Sequence, residues 1–262
     1  MSTVYYNGQE YQTRPLMSDV GGYMLASAAS AAILSPLPYI GKSFQKQLNK
    51  EIPNNHLFKD YFYKSFNISG LKDKGVGIVE AQFNDVPLDY KLGHQACYDP
   101  FNRKVILNTN KISSAGFHEL GHALNALKSK WGIKYLAKLR APGYAIAGLM
   151  EYFAIFSRSK PKGAPRNLTD VIEDNCGEIA FIAMLPTVIE EAVASYRGIK
   201  LAKKSGVPKP LLNNMKKIYL KAHATYSGKA ILGGLAVYAS RKIMDYFTRP
   251  RPIEESQSLL FG

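Results

Sequence analysis

From residue 20 to residue 41 the chain carries 22 consecutive uncharged residues, and this run restricts the folds open to it more than any other feature. A helix of about 20 apolar residues crosses the hydrocarbon of a bilayer. The run is rich in Ala, Ser and Gly, and Pro36 and Pro38 interrupt its end, so a buried or re-entrant hairpin is the competing reading. Lys42, Lys46 and Lys50 follow closely. Positive charge stays on the cytoplasmic side of a span, so a domain after this segment is expected to face the cytoplasm. The preceding residues carry one Arg14 and Asp19 rather than a basic region, which argues against a cleaved signal peptide.

Beyond that segment the chain reads as a folded protein. Its 262 residues are 46% hydrophobic and 21% charged, enough apolar material for a packed core. Thirty-four basic against 20 acidic residues give a net charge of +14, which favours a polyanionic surface, either nucleic acid or anionic lipid. The basic residues are spread along the chain and flank apolar stretches: Lys138 and Arg140 precede 141–157, and Arg158, Lys160 and Lys162 follow it. Membrane surfaces select such bracketing, so a lipid partner is expected and no nucleic-acid partner. Cys97 and Cys176 are unpaired in spacing, which excludes a disulfide framework and a cysteine-based metal site.

The organisation expected is an N-terminal tail with a membrane segment over 1–41, one domain over 42–248, and a C-terminal tail over 249–262. Phe58, Tyr61, Phe62, Tyr63 and Phe66 read as core or interfacial packing. Short β-type runs at 76–78 and 105–107 flank Asp99-Pro100-Phe101-Asn102, a hairpin turn by composition. After Ile112 the pattern is helical, with further apolar stretches at 141–157, 179–189 and 230–240. The fold class is therefore mainly α, with a small β hairpin or sheet ahead of the first long helix.

That helix carries Phe117-His-Glu-Leu-Gly-His-Ala-Leu124, an H-E-x-x-H pattern. Residues four apart share one helix face, so His118 and His122 can reach one zinc ion while Glu119 stands beside it as general base. The rest of the helix is apolar, and two histidines and a glutamate buried there need partners. A catalytic zinc keeps three protein ligands and one open position. His56 and His94 precede the motif in the less regular half. The better source is downstream, where Glu190 and Glu191 interrupt the apolar run 185–197. A glutamate ligand from a second helix is the gluzincin arrangement.

Taken in order, several segments together resemble the YugP-type zinc metallopeptidases, relatives of the HtpX-like membrane peptidases. These are Cys97-Tyr-Asp-Pro-Phe-Asn-Arg-Lys-Val-Ile-Leu107, His118-Glu-Leu-Gly-His122, Leu185-Pro186, Glu191-Ala-Val-Ala-Ser195 and Lys221-Ala-His-Ala-Thr-Tyr226. The resemblance spans about 95–240 and implies a gluzincin-type helical core. It implies His118, His122 and Glu191 as ligands of Zn2+ and Glu119 as base. It further implies hydrolysis of peptide or protein substrates in or near the membrane. Val193 stands where that family has an acidic residue. The rival readings are a non-catalytic zinc-containing membrane scaffold and a basic membrane-surface or nucleic-acid-binding protein.

Secondary roles follow from position. Gly121 in mid-helix costs about 1 kcal/mol against alanine, which predicts close approach of another backbone, that of the Glu191 helix. Asn125 and Ser195 are candidates to orient the ligands. His223, Tyr226 and Arg197 are candidates to stabilise an oxyanion. Strand 104–108 is a candidate edge for an extended substrate.

Overall fold

A computed structural model describes residues 3–6, 8–51, 55–82, 95–129, 131–161 and 163–253. The chain is mainly helical with two three-stranded sheets. Its contacts divide it into two compact units, the first formed by Met1–Pro36, Ala141–Leu185 and Gly228–Gly262, the second by Leu37–Arg140 and Pro186–Ser227. The stretch 42–248, expected to be one domain, is thus shared between them. His94, Lys162 and the tail beyond 253 lie outside the described residues.

The second unit is built around the aromatic run. Helix α2 (Leu37–Asn49) leads to α3 (Asn55–Ser69), whose Phe58 and Phe62 are fully buried. Burying one such side chain stabilises by about 1.5–3 kcal/mol. Strands β3 (Gly77–Ala81), β4 (Ala96–Asp99) and β5 (Lys104–Asn108) follow, in the order β3-β5-β4. The β4–β5 pair is antiparallel, with Tyr98 opposite Val105. Its turn forms as expected: the Asp99 carboxylate accepts from the Phe101 and Asn102 amides at 2.9 and 3.0 Å. Arg103 takes a left-handed φ of 51° to close it. The expectation that 104–108 is an edge strand fails. β3 pairs with β5 in parallel from the other side, so among the described residues β5 is central and β3 and β4 are outermost. The alternation of β5, with Val105 and Leu107 buried, fits either position, which is why the sequence did not distinguish them.

Helix α4 (Ser114–Lys128) starts where Ser113 caps it, the hydroxyl accepting from the Ala115 amide at 3.3 Å. Glu51, itself buried, accepts from the Ser114 amide at 2.9 Å and satisfies another of the first-turn donors. Phe117 of α4 meets Phe58 and Phe62 edge-on, with ring centroids 6.3 and 6.0 Å apart. Helix α5 (Trp131–Leu136) follows. Two long helices complete the count: α8 (Cys176–Ser205), whose residues from Pro186 on belong to this unit, and α9 (Lys209–Thr248), which contributes 209–227.

The first unit contains α1 (Leu16–Leu34), most of α6 (Arg140–Phe156), α7 (Leu168–Asp174), the start of α8 and the end of α9. Its sheet joins β1 (Thr3–Tyr6), β2 (Gln9–Gln12) and β6 (Arg251–Pro252). This unit packs a small apolar core of Met150, Ala154, Cys176, Ala180 and Val237, yet it also carries large apolar side chains on its surface. Met24, Leu25, Leu149, Tyr152, Ile182 and Leu235 are exposed. Asp19 is buried against Arg158, and Arg241, 5% exposed, is buried between Glu173 and Asp245 at 3.4 and 3.2 Å. Two helical runs, Met17–Asn49 and Cys176–Ser205, are long and apolar enough to cross a membrane. The first bends at Ser35–Pro36, so α1 alone is continuous through most of the uncharged run.

Candidate metal centre

One turn apart on α4, His118 and His122 put their rings edge to face with centroids 4.5 Å apart. Helix α8 crosses them. At Gly121 an added Cβ would lie 2.0 Å from the Ala194 carbonyl oxygen, so only glycine allows this approach, as the sequence predicted. A Cβ on Gly198 would meet the Phe117 carbonyl oxygen at 2.6 Å. This close crossing is what lets a short side chain of α8 reach the imidazoles of α4.

Glu191 is the residue that does. Its Oε2 lies 3.0 Å from His118 Nε2 and 3.6 Å from His122 Nε2, and the two Nε2 atoms are 2.9 Å apart. Three donor atoms thus face one point. Ligand atoms about 2.0–2.1 Å from a tetrahedral zinc are separated by about 3.3 Å, so this triangle has the size of a tetrahedron's face. The donor set, two imidazoles and one carboxylate, is one that zinc accepts.

Each donor is held from behind. Ser195 Oγ lies 3.1 Å from His118 Nδ1, and Glu190 Oε1 lies 2.8 Å from His122 Nδ1. With a proton on each Nδ1, both Nε2 lone pairs turn inward. Asn125 donates to Glu190 Oε1 at 2.8 Å and to its carbonyl at 3.2 Å. Arg140 spans the two glutamates, 2.8 Å from Glu191 Oε1 and 3.4 Å from Glu190 Oε2. That contact leaves Glu191 Oε2 free to face the imidazoles. Tyr219 of α9 lies against His118 at 5.5 Å between ring centres and donates to the Ser114 carbonyl at 2.6 Å.

Glu119 points beside this triangle, its carboxylate within 4.8 Å of the His118 and His122 donor nitrogens. Burial pushes its pKa up, against the pull of His122 and His118, and a backbone N–H of Tyr98 on β4 donates to it. Burial opposes a charged His122, yet hydrogen bonds to Glu190 and Glu191 outweigh it and hold the imidazole pKa well above its ordinary value. Without a cation, the cluster takes up a proton to offset its carboxylates.

Of the two candidates to orient the ligands, Ser195 reaches His118 directly, whereas Asn125 reaches only Glu190, which in turn holds His122. The oxyanion candidates fare differently. His223 pairs with Ser227 on its own helix at 3.3 Å, Tyr226 is half-buried on α9, and Arg197 is near enough to Glu190 for their charges to interact. His56 is exposed on α3. The guanidinium that touches the cluster is Arg140, which sequence reasoning read only as a charge flanking an apolar stretch. Its one signal was position, as the last basic residue before 141–157. Tyr219 carried no signal beyond its helical spacing. Compared with known proteins, the chain matches no family model, no curated protein and no solved structure.

Proposed function

We propose that the chain is a membrane-associated, zinc-dependent metallopeptidase of the gluzincin kind, akin to the YugP-type enzymes its motifs resemble. The observation that carries this reading is the triangle of His118 Nε2, His122 Nε2 and Glu191 Oε2, with sides of 2.9, 3.0 and 3.6 Å. Glu119 stands with the two histidines, its carboxylate within 4.8 Å of their donor nitrogens. The exposed apolar side chains of the first unit and the two long apolar runs support a membrane location.

Zinc held by His118, His122 and Glu191 supplies a Lewis acid and lowers the pKa of a water towards about 7. The chain's own residues supply the rest. Ser195 and Glu190 fix the imidazole orientations, and Arg140 fixes the carboxylate of Glu191. Glu119 takes a proton from the attacking water and returns it to the leaving nitrogen, so no net proton is consumed at the carboxylate. Edge strand β4 lies beside Glu119 through the Tyr98 amide and offers backbone pairing to an extended peptide.

The test is metal analysis and peptide hydrolysis on detergent-purified wild type and Glu119→Gln. About one zinc per chain in both, with hydrolysis in the wild type alone, supports the reading. Equal hydrolysis in both removes Glu119 from the reaction, and a folded wild type without zinc overturns the proposal.

A further inference from the structure

The first unit contains a cavity unrelated to the candidate metal centre. Its volume is about 550 Å3, and Gln9 and Tyr11 of β2, Arg14, Tyr246 and Arg249 near the end of α9, and Arg251 of β6 line it. Arg14 and Arg251 both lie against the ring of Tyr246, their guanidinium carbons 5.3 and 5.7 Å from its centre. Among the described residues neither is paired with a carboxylate. Arg249 contacts Asp245 at 3.2 Å, and its Nε is buried without a hydrogen-bond partner. Asp245 also lines the cavity, but Arg241 at 3.2 Å and the Ser159 hydroxyl already hold its other oxygen. Three guanidiniums thus converge on a wall whose one carboxylate is shared with a fourth. Burial lowers the Arg14 pKa, and the charge of Arg251 lowers it further against the opposite pull of Tyr246.

We propose that this arginine pocket binds a phosphate group. Planar guanidiniums match tetrahedral oxyanions in pairs of parallel hydrogen bonds, and the space exceeds that of inorganic phosphate, leaving room for a phosphoester. The position points to a lipid as its carrier, a choice that rests on the membrane location proposed above and not on peptidase activity. Arg14 stands two residues before the apolar helix α1, and Arg249 and Arg251 follow directly on α9. For α1, the position of Arg14 is the level at which basic residues meet headgroups when an apolar helix enters a bilayer, and the cavity brings Arg249 and Arg251 to the same place.

The test uses the full chain in uncharged detergent, with binding followed by native mass spectrometry and calorimetry. The probes are phosphatidic acid, phosphatidylcholine and sodium phosphate. Saturable binding of one phosphatidic acid per chain, stronger than that of phosphatidylcholine and competed by sodium phosphate, is expected. Arg14→Gln and Arg251→Gln should each weaken it about tenfold, the effect of losing one charge-assisted contact. Lys203→Gln, an exposed lysine of the second unit, should leave it unchanged. Binding of sodium phosphate without preference for the lipid keeps the phosphate site and identifies a soluble phosphoester as its occupant. No binding of either probe, or binding unaltered in both arginine variants, overturns the proposal. Zinc content of the variants should match wild type, which separates this test from that of the metal centre.

Discussion

Replacing Gly121 by alanine tests whether the crossing of α4 and α8 assembles the metal centre. The local preference runs towards stabilisation, since alanine in a helix interior is favoured over glycine by about 1 kcal/mol. The packing opposes it. The new methyl would lie 2.0 Å from the Ala194 carbonyl oxygen and 2.7 Å from its carbonyl carbon, both rigid backbone atoms. Restoring ordinary contact requires the helices to separate by roughly 1 Å, and forced overpacking of this kind costs about 1–3 kcal/mol. The two terms partly cancel, so the expected net destabilisation is modest, from near zero to about 2 kcal/mol.

Metal binding is not protected by that cancellation. His118 and His122 come from α4 and Glu191 from α8, and a zinc site tolerates deviations of only about 0.2 Å. A separation of roughly 1 Å should therefore weaken zinc binding at least about a hundredfold, even where the fold survives. Competition against a chromophoric chelator measures the affinity, and thermal unfolding measures the stability. Gly132→Ala is the control, because a methyl there meets nothing within 4 Å in helix α5 and should bring the helical gain alone. If Gly121→Ala behaves like this control, with unchanged zinc affinity, the tight crossing does not set the ligand geometry.

Three further outcomes follow from the same structure. Glu191→Ala should reduce zinc from about one per chain to near none, whereas Glu190→Ala should keep the metal and bind it about 10–100-fold more weakly, and elemental analysis with chelator competition exposes a reversal of these roles. Burial raises the pKa of Glu51 against hydrogen bonds from the Ser114 amide and Asn214, so its contribution to stability is present below the usual carboxylate range and is lost as pH rises through the folded value. Glu51→Gln should remove that slope from urea-unfolding curves taken between pH 4 and 8 and, with only one acceptor oxygen for two donors, cost about 1–3 kcal/mol; an unaltered slope would contradict this. Arg241→Met should cost about 3–5 kcal/mol by leaving Glu173 buried without its cation and Asp245 with Arg249 alone, while removing the exposed Arg166–Asp174 pair should cost under about 1 kcal/mol; similar melting shifts for both would show that the Arg241 network is not effectively buried.

Much of the fold was legible because its signals are local. The Asp99-Pro100-Phe101-Asn102 turn carries its own acceptor in the Asp99 carboxylate, and α4 brings its own cap in Ser113. The aromatic run 58–66 reads as core because Phe58, Phe62 and Phe66 repeat at helical spacing. The order of strands was not legible. The parallel pairing of β3 with β5 spans a connection of 22 residues and leaves no mark in either strand's own pattern, and Val105 and Leu107 alternate alike at an edge or in the centre. The half-length apolar stretches at 179–189 and 230–240 were also under-read. Each lies within a much longer helix, α8 of 30 residues and α9 of 40, whose remaining turns are polar and conceal its extent.

At the candidate site the motif pointed to two imidazoles and one carboxylate, whereas the choice of Glu191 over Glu190 came only from the resemblance to a family's Glu-x-x-Ala-Ser and not from the local pattern of the residues. Adjacent helical residues differ by about 100° in direction, so one faces the imidazole edge of His118 while its neighbour reaches the far nitrogen of His122. Which does which is decided by the rotation of α8, which Gly121 and Gly198 permit and Arg140, 50 residues away in sequence, secures. Arg140 also completes the electrostatics. Glu119, Glu190 and Glu191 bring three negative charges into a largely enclosed cluster, and Arg140 offsets one. The remaining charge would suit one divalent cation, and the hydrogen bonds His122 makes to Glu190 and Glu191, which raise its pKa against the burial that lowers it, answer the same excess. A net charge of +14 over the chain conveys nothing of this balance, because electrostatic cost is set within a few ångströms of the buried groups.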